Sequence, residues 1–180
     1  MPPVHRGVTL LDLLMTLSIG ALLLTIAAPS FRHTIAGGER TAAVNDLLSA
    51  LQLARRFALS RAQPVVLCQA SADGDCARGG GETWAQGLLA FVNEDGDDPP
   101  RRDPDEPVIY RSALPGAVQV TANREAFVMR PYGKRSTNGT FTVCDRRGAP
   151  FARAIIVSWT GRPRVASTRA DGEALTCSSS

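Results

Sequence analysis

Three hydrophobic patterns succeed one another along the chain. Residues 8–28 are almost uniformly apolar, 21 residues with Asp12 as their only charge. At about 1.5 Å rise per residue this run can just cross a hydrocarbon core of about 30 Å. Beyond Pro29 the pattern becomes amphipathic. Val44, Leu47, Leu48, Leu51, Ala54 and Ala58 recur at helical spacing, while Arg40, Asn45, Asp46, Gln52, Arg55 and Arg56 fall mostly on other faces. The two stretches predict one long helix, interrupted near Pro29 and at Gly37-Gly38, running to about Ala62 and ended by Pro64.

The third pattern is short, apolar or alternating, and rich in β-branched residues. It predicts strands over 64–69, 86–92, 107–111, 117–122, 126–130, 139–144, 153–159 and 164–168. Asp73-Gly74, Asn138-Gly139 and Asp171-Gly172 mark turns between them. A helix followed by many short antiparallel strands implies an α+β architecture, with the helix packed on a sheet or sheets. Residues 93–106 are acidic, Pro-rich and poor in apolar side chains, which reads as an exposed loop. A calcium loop is the alternative there, but the EF-hand register and its terminal Glu are absent.

Composition narrows the class. In 180 residues, 44% are hydrophobic, which argues against wholesale disorder. Sixteen Gly and 12 Pro without a G-X-Y period exclude collagen. Lys134 is the only lysine among 20 basic residues. The net charge of +3 by itself argues against a polyanion partner, yet it is a cancellation. Residues 1–70 carry 6 basic and 3 acidic groups, residues 71–119 carry 4 and 10, and residues 120–180 carry 10 and 4. A basic C-terminal third is therefore masked by an acidic middle.

The head of the chain carries its own chemistry. His5 and Arg6 precede the apolar run, and a positive head places the N-terminus in the cytoplasm and the remainder across the membrane. A secretory signal peptide fits poorly, because Pro29 follows the small residues at the only candidate cleavage point. A plain anchor leaves Asp12 unexplained, since an intramembrane carboxylate calls for a partner. Gly7-Val8-Thr9-Leu10-Leu11-Asp12-Leu13-Leu14 resembles the class III signal of type IV pilins and pseudopilins. That resemblance implies cleavage after Gly7 by a prepilin peptidase and methylation of Val8. It also implies a pairing of Asp12 with the terminal amine of a neighbouring subunit, which offsets the burial of both charges. Val8 stands where the family has Phe, and Asp12 where it has Glu. The organisation expected is a leader at 1–7, a membrane and filament-core helix at 8–28, an amphipathic helix at 29–63 and a β-rich domain at 64–180.

Four cysteines in a chain expected outside the cytoplasm point to disulfides. Three connectivities are open, and local pairing is favoured. Cys68-Cys76 would bracket a short Gly/Asp loop, and Cys144-Cys177 would tie the C-terminal tail to a strand. Zinc is disfavoured: there is no C-x-x-C, and His5 and His33 sit in or near the apolar segment. No metal or cofactor is expected.

Three further stretches narrow the resemblance. They are residues 44–55, residues 62–68, and Trp84-Ala85-Gln86-Gly87 ahead of an apolar strand. Together they resemble the GspH/FimT family of minor pilins and pseudopilins of type IV pili and type II secretion, over nearly the whole chain from Gly7 to about Arg164. Trp159-Thr160-Gly161-Arg162-Pro163-Arg164 contains a G-R-x-R motif like that of FimT-type minor pilins, which bind DNA during natural transformation. Two arginines at i and i+2 on an extended segment point to one face. Gly161 permits a sharp turn, and two guanidinium forks suit phosphates.

The resemblance implies double-stranded DNA capture by Gly161, Arg162 and Arg164, supported by Lys134, Arg135, Arg146 and Arg147. Arg130, Arg153 and Arg169 are further cations nearby. Tyr132 and Trp159 could stack on bases, but read more readily as core residues. The competing reading is structural, in which the protein primes pilus assembly or sits in a type II secretion pseudopilus. An adhesive tip subunit is a third. The expected partners are DNA, other pilin subunits, the prepilin peptidase and the inner membrane before assembly. The expected location is the inner membrane with a periplasmic globular domain, then an extracellular pilus. No P-loop, G-x-S-x-G or facing pair of acids supports an enzyme.

Overall fold

A computed structural model describes residues 9–77, 83–84 and 86–177, except for the side chains of residues 26–30. The leader and the processing residues Gly7 and Val8 lie outside the described residues. The chain divides into two units, Met1–Ile35 and Ala36–Ser180. One helix, α1 (Leu10–Arg61), contributes to both.

In the first unit the helix start is capped locally. The Asp12 backbone N–H donates to Thr9 Oγ1 at 3.3 Å, and the Thr9 N–H and hydroxyl donate to Asp12 Oδ2 at 3.1 and 2.8 Å. This is a reciprocal capping box with Asp in place of Glu. Leu10, Leu11, Leu13, Leu14 and Leu17 are exposed. Among the described residues no helix is long and apolar enough to cross a membrane.

The expected interruptions of the helix do not occur. Helical structure continues through Pro29 and Gly37-Gly38 to Arg61. A proline removes one backbone donor, but the turns on either side can keep their own bonds. The end of the helix is as sharp as the sequence implied. Ala62 takes φ 56°, the left-handed conformation that closes helices, and Pro64 cannot continue them.

In the second unit eight strands form two antiparallel sheets. The strands are β1 (Val65–Gln69), β2 (Leu88–Val92), β3 (Val108–Ser112), β4 (Gln119–Ala122), β5 (Ala126–Met129), β6 (Gly139–Cys144), β7 (Arg153–Val157) and β8 (Pro163–Ala166). Their orders are β3-β2-β1-β5 and β4-β6-β7-β8. All eight expected strands are present, within two residues at every boundary. The fold is of the expected α+β class, a long helix packed on antiparallel sheets.

The packing explains the pattern. Ala43, Val44, Leu47, Ala50, Leu51, Ala54 and Ala58 of α1 share one buried core with Val65, Leu67, Leu88, Ala90, Phe127, Phe141, Val143 and Ile155. The opposite faces of β1 and β2 are buried too, in a second cluster of Val66, Cys68, Leu89 and Phe91. That is why these strands read as unbroken apolar runs. A third cluster, Cys144, Ala154, Ile156 and Leu175, lies behind β6 and β7. Cys68 is bonded to Cys76 and Cys144 to Cys177. Each disulfide thus ties a loop or the tail over an outer cluster.

Two details account for residues in the stretches noted above. Gly87 has φ 106°, and a Cβ there would sit 2.2 Å from the Ser112 carbonyl oxygen, so only glycine lets β2 leave its turn beside β3. The Asp46 carboxylate on α1 accepts from the Tyr110 and Ser112 hydroxyls of β3. Burial and this hydrogen bond push the Tyr110 phenol up to about 12.

The acidic segment between β2 and β3 closes on itself. Glu106 is buried and accepts from the backbone of Glu94 and Asp103 at 2.7 and 3.0 Å. Asp97 accepts from the Arg101 backbone at 2.9 Å. Among the described residues no group of three or more His, Cys, Asp or Glu side chains is placed to hold a metal ion.

Candidate nucleic-acid interface

The G-R-x-R segment forms the turn between β7 and β8. Val157 pairs with Pro163 and Ile156 with Arg164, which leaves residues 158–162 as a five-residue connection. Its own polar groups brace it. Gly161 N donates to Ser158 O at 2.9 Å, Ser158 N to Arg162 O at 3.1 Å, and Arg162 N to Ser158 Oγ at 3.2 Å. Neighbouring elements then hold it. Ser136 N donates to Trp159 O at 3.0 Å, and Arg55 Nε on α1 donates to Thr160 O at 3.0 Å.

Gly161 sits at the centre of this arrangement. It is buried with φ 70°, and a Cβ there would lie 2.9 Å from Met129 Sδ and 3.1 Å from Ser136 Oγ. The motif's glycine therefore serves both the turn and a close approach. The arginines around it are solvent-exposed. Arg164 lies in β8, a sheet edge, while Arg162 ends the turn and lines a shallow groove against α1. The two are two residues apart as expected, but only Arg162 faces the helix groove.

The expectation that Tyr132 and Trp159 are core residues is wrong. Tyr132 is 86% exposed and Trp159 is 53% exposed. Inward alternation in β7 ends at Val157, and Trp159 follows where the chain has already turned. Tyr132 occupies the tip of a turn closed by Lys134 N donating to Pro131 O at 3.2 Å. The Arg135 guanidinium lies over the Trp159 ring, 5.5 Å from its centroid. Lys134 and Arg135 are exposed, and Arg130 Nη1 donates to Arg135 O at 3.2 Å. The turn before β6 and the turn after β7 thus meet in one basic, aromatic surface.

Arg146 and Arg147 do not join it. They precede β7, whereas Arg162 follows it, and five strand residues span about 17 Å. Arg146 is exposed, but Arg147 is committed to Asp145. Its Nη2 lies 2.6 Å from Asp145 Oδ2 and its Nε 3.1 Å from Oδ1. Its guanidinium carbon lies 4.4 Å from the centroid of the Phe151 ring. Arg40 of α1 completes the cluster at 3.7 Å from Asp145 and donates to the Phe151 carbonyl. Burial pushes the Asp145 carboxyl up, but the hydrogen bonds and charge of Arg147, with the charge of Arg40, hold it below the usual carboxylate value. Arg147 is thereby a structural ion-pair partner rather than a free fork, a correction to the expected site. Arg169 is also engaged, with Glu173 at 3.8 Å and Thr176 at 3.3 Å.

The structure adds residues that the motif did not suggest. Gln52, Arg55, Arg56 and Ser60 of α1 line the same groove as Arg162, a space of about 720 Å³. Their signal was present in the helical period, since Gln52, Arg56 and Ser60 are spaced i, i+4, i+8 without an acid among them. Nothing in the linear sequence paired that stripe with residue 162.

Comparisons with known proteins agree with this fold. No curated protein matches the chain. A crystal structure of the type IV minor pilin FimU of Pseudomonas aeruginosa is similar at 19% identity and a TM-score of 0.52, covering 70% of this chain and 91% of that one. A second crystal form of FimU matches at 21% identity and a TM-score of 0.48, covering 72% and 89%. The family described as Type II transport protein GspH matches residues 43–161, which takes in α1 from residue 43 onward, seven of the eight strands and Gly161, and stops just short of Arg162. With that match over more than half its length, the chain belongs to the GspH family of minor pilins and pseudopilins.

Proposed function

We propose that this protein works as a minor subunit of a pilin-type filament, and that its C-terminal basic surface lets the filament hold double-stranded DNA. The subunit role is carried by the GspH match over residues 43–161 on a pilin-like fold. In this reading residues 8–28 anchor the precursor in the inner membrane and later pack in the filament core. A prepilin peptidase removes residues 1–7, and Asp12 pairs with the amine of an adjacent subunit. Mass spectrometry of the membrane-extracted protein tests the processing. A methylated Val8 terminus supports it, and an intact Met1 or cleavage after Ala28 overturns it. Gene deletion tests the role itself, with loss of pili or of secretion as the expected outcome of a structural part.

The DNA reading is favoured by one observation: Arg162, Arg164, Lys134 and Arg135 are exposed, Arg135 lies over a half-exposed Trp159, and among the described residues no carboxylate forms an ion pair with any of these cations. Phosphate neutralisation would supply the affinity, so binding should be salt-dependent and largely indifferent to sequence. Uptake of DNA in natural transformation is the use this implies. Gel-shift titration of the full chain in mild detergent decides it. Arg162→Ala with Arg164→Ala should sharply weaken binding and flatten its salt dependence. Unchanged binding removes these arginines from the site.

A further inference from the structure

The groove between α1 and the β7–β8 turn has a donor set of one kind. Gln52, Arg56 and Ser60 are exposed on α1 at i, i+4 and i+8, so their amide, guanidinium and hydroxyl follow one another about 6 Å apart along the helix axis. Arg162 lines the same groove from the turn. Among the described residues no carboxylate lines it, and none forms an ion pair with Arg55, Arg56 or Arg162. Arg55 already donates to Thr160 O, which fixes the turn relative to the helix within this unit. The seat is therefore held in place before any ligand arrives. Guanidinium, amide and hydroxyl donors are the groups that hold backbone phosphates.

We infer that this groove seats the sugar–phosphate backbone of duplex DNA, with Arg56 and Arg162 as phosphate contacts and Arg55 as the positioning residue of the turn. The inference rests on the DNA reading above and extends its site from the C-terminal motif onto α1. The groove adjoins the Arg135–Trp159 pair through the 158–162 turn, with Arg164 exposed on the adjoining edge strand β8. An extended, repeating polyanion fits such a surface better than a compact headgroup or a lone phosphate. The aromatic side lies at the turn, whereas the polar groups of the helix side, beside the apolar Leu59, are phosphate-type donors. The helix side therefore adds affinity without base preference.

The test measures binding of the full chain in detergent to a fluorescent 30-base-pair duplex between 50 and 200 mM salt. Each phosphate contact contributes about 0.9 to the log–log salt slope. Arg56→Gln should lower the slope by that amount, so the ratio of wild-type to variant affinity should shrink about 3.5-fold across this range. Arg162→Gln should do the same. Arg56→Lys should keep the slope, because it keeps the charge, and Arg101→Gln in the acidic segment should change nothing. If the wild type binds and Arg162→Gln weakens it while Arg56→Gln binds like wild type, the helix groove is wrong and the motif reading stands. If the wild type does not bind DNA, both fall. If vesicles with 30% anionic lipid bind through Arg56 as tightly as DNA does, the assignment to nucleic acid is overturned.

Discussion

Substituting Gly161 by alanine tests whether the glycine of the G-R-x-R turn is there for shape. Two costs are expected. A φ of 70° is unfavourable for any residue with a Cβ, by about 1–2 kcal/mol. The new methyl would also lie 2.9 Å from Met129 Sδ and 3.1 Å from Ser136 Oγ. Met129 is fully buried, and Ser136 Oγ accepts from Arg130 N at 3.0 Å, so neither yields freely. Overpacking of this kind costs about 1–3 kcal/mol more. Gly96 provides the comparison. Its φ is 73°, nearly the same, and nothing lies within 4 Å of its added Cβ. Gly96→Ala should therefore show the backbone cost alone. Urea unfolding followed by Trp84 and Trp159 fluorescence reads both, since Trp84 is buried against Phe141 in the core. Gly161→Ala should be less stable than Gly96→Ala by at least 1 kcal/mol. Equal stability of the two variants would refute the packing argument and leave only the turn.

Further expectations concern the disulfides and the buried ion cluster. Cys144 and Cys177 are 33 residues apart and Cys68 and Cys76 only 8, so replacing the first pair by alanine should cost roughly 3.7 kcal/mol and the second roughly 2.5 kcal/mol. Thermal or urea unfolding gives the order, and the reverse order would show that the tail contributes little closure. Asp145→Asn leaves Arg147 and Arg40 facing an uncharged partner in a nearly enclosed site, which should cost about 3–5 kcal/mol in the same assay. The carboxyl of Asp145 is held below its ordinary value of 3.8 in the folded protein. Its stabilisation is accordingly complete above that value and lost as pH falls through the lower folded value. Wild type should thus lose more stability than Asp145→Asn in that acid window.

The elements were legible because burial and period agree. The amphipathic stripe of 44–58 faces a core built from both sheets, and β1 and β2, buried on both faces, appear as apolar runs. The helix through Pro29 was not legible, because a proline signals a lost donor but not whether adjoining turns persist. Site residues divide in the same way. Gly161 and the exposed arginines follow from local chain geometry. Arg147 and Arg162 look alike in sequence, each one residue from a second cation or from a turn. Only the tertiary structure shows that Asp145, Phe151 and Arg40 enclose the first and that α1 lies beside the second.

That difference bears on what the basic surface is for. The chain has 17 acidic side chains, enough to neutralise most of its cations, and it does so where a cation is structural. Arg40 and Arg147 share Asp145, and Arg169 has Glu173. Yet ten of the acids fall in residues 71–119, and none of the described carboxylates pairs with Arg55, Arg56, Lys134, Arg135, Arg162 or Arg164. Unpaired like charges within a Debye length of about 10 Å repel one another and destabilise the free protein slightly. Packing does not require the arrangement, since Arg56, Arg162 and Arg164 are exposed and bury nothing in the core. A segregation that folding does not need and that electrostatics opposes is most simply offset by a ligand of opposite sign. The positions of the six cations, on one helix, two turns and the edge strand β8, give that ligand an extended rather than a compact shape.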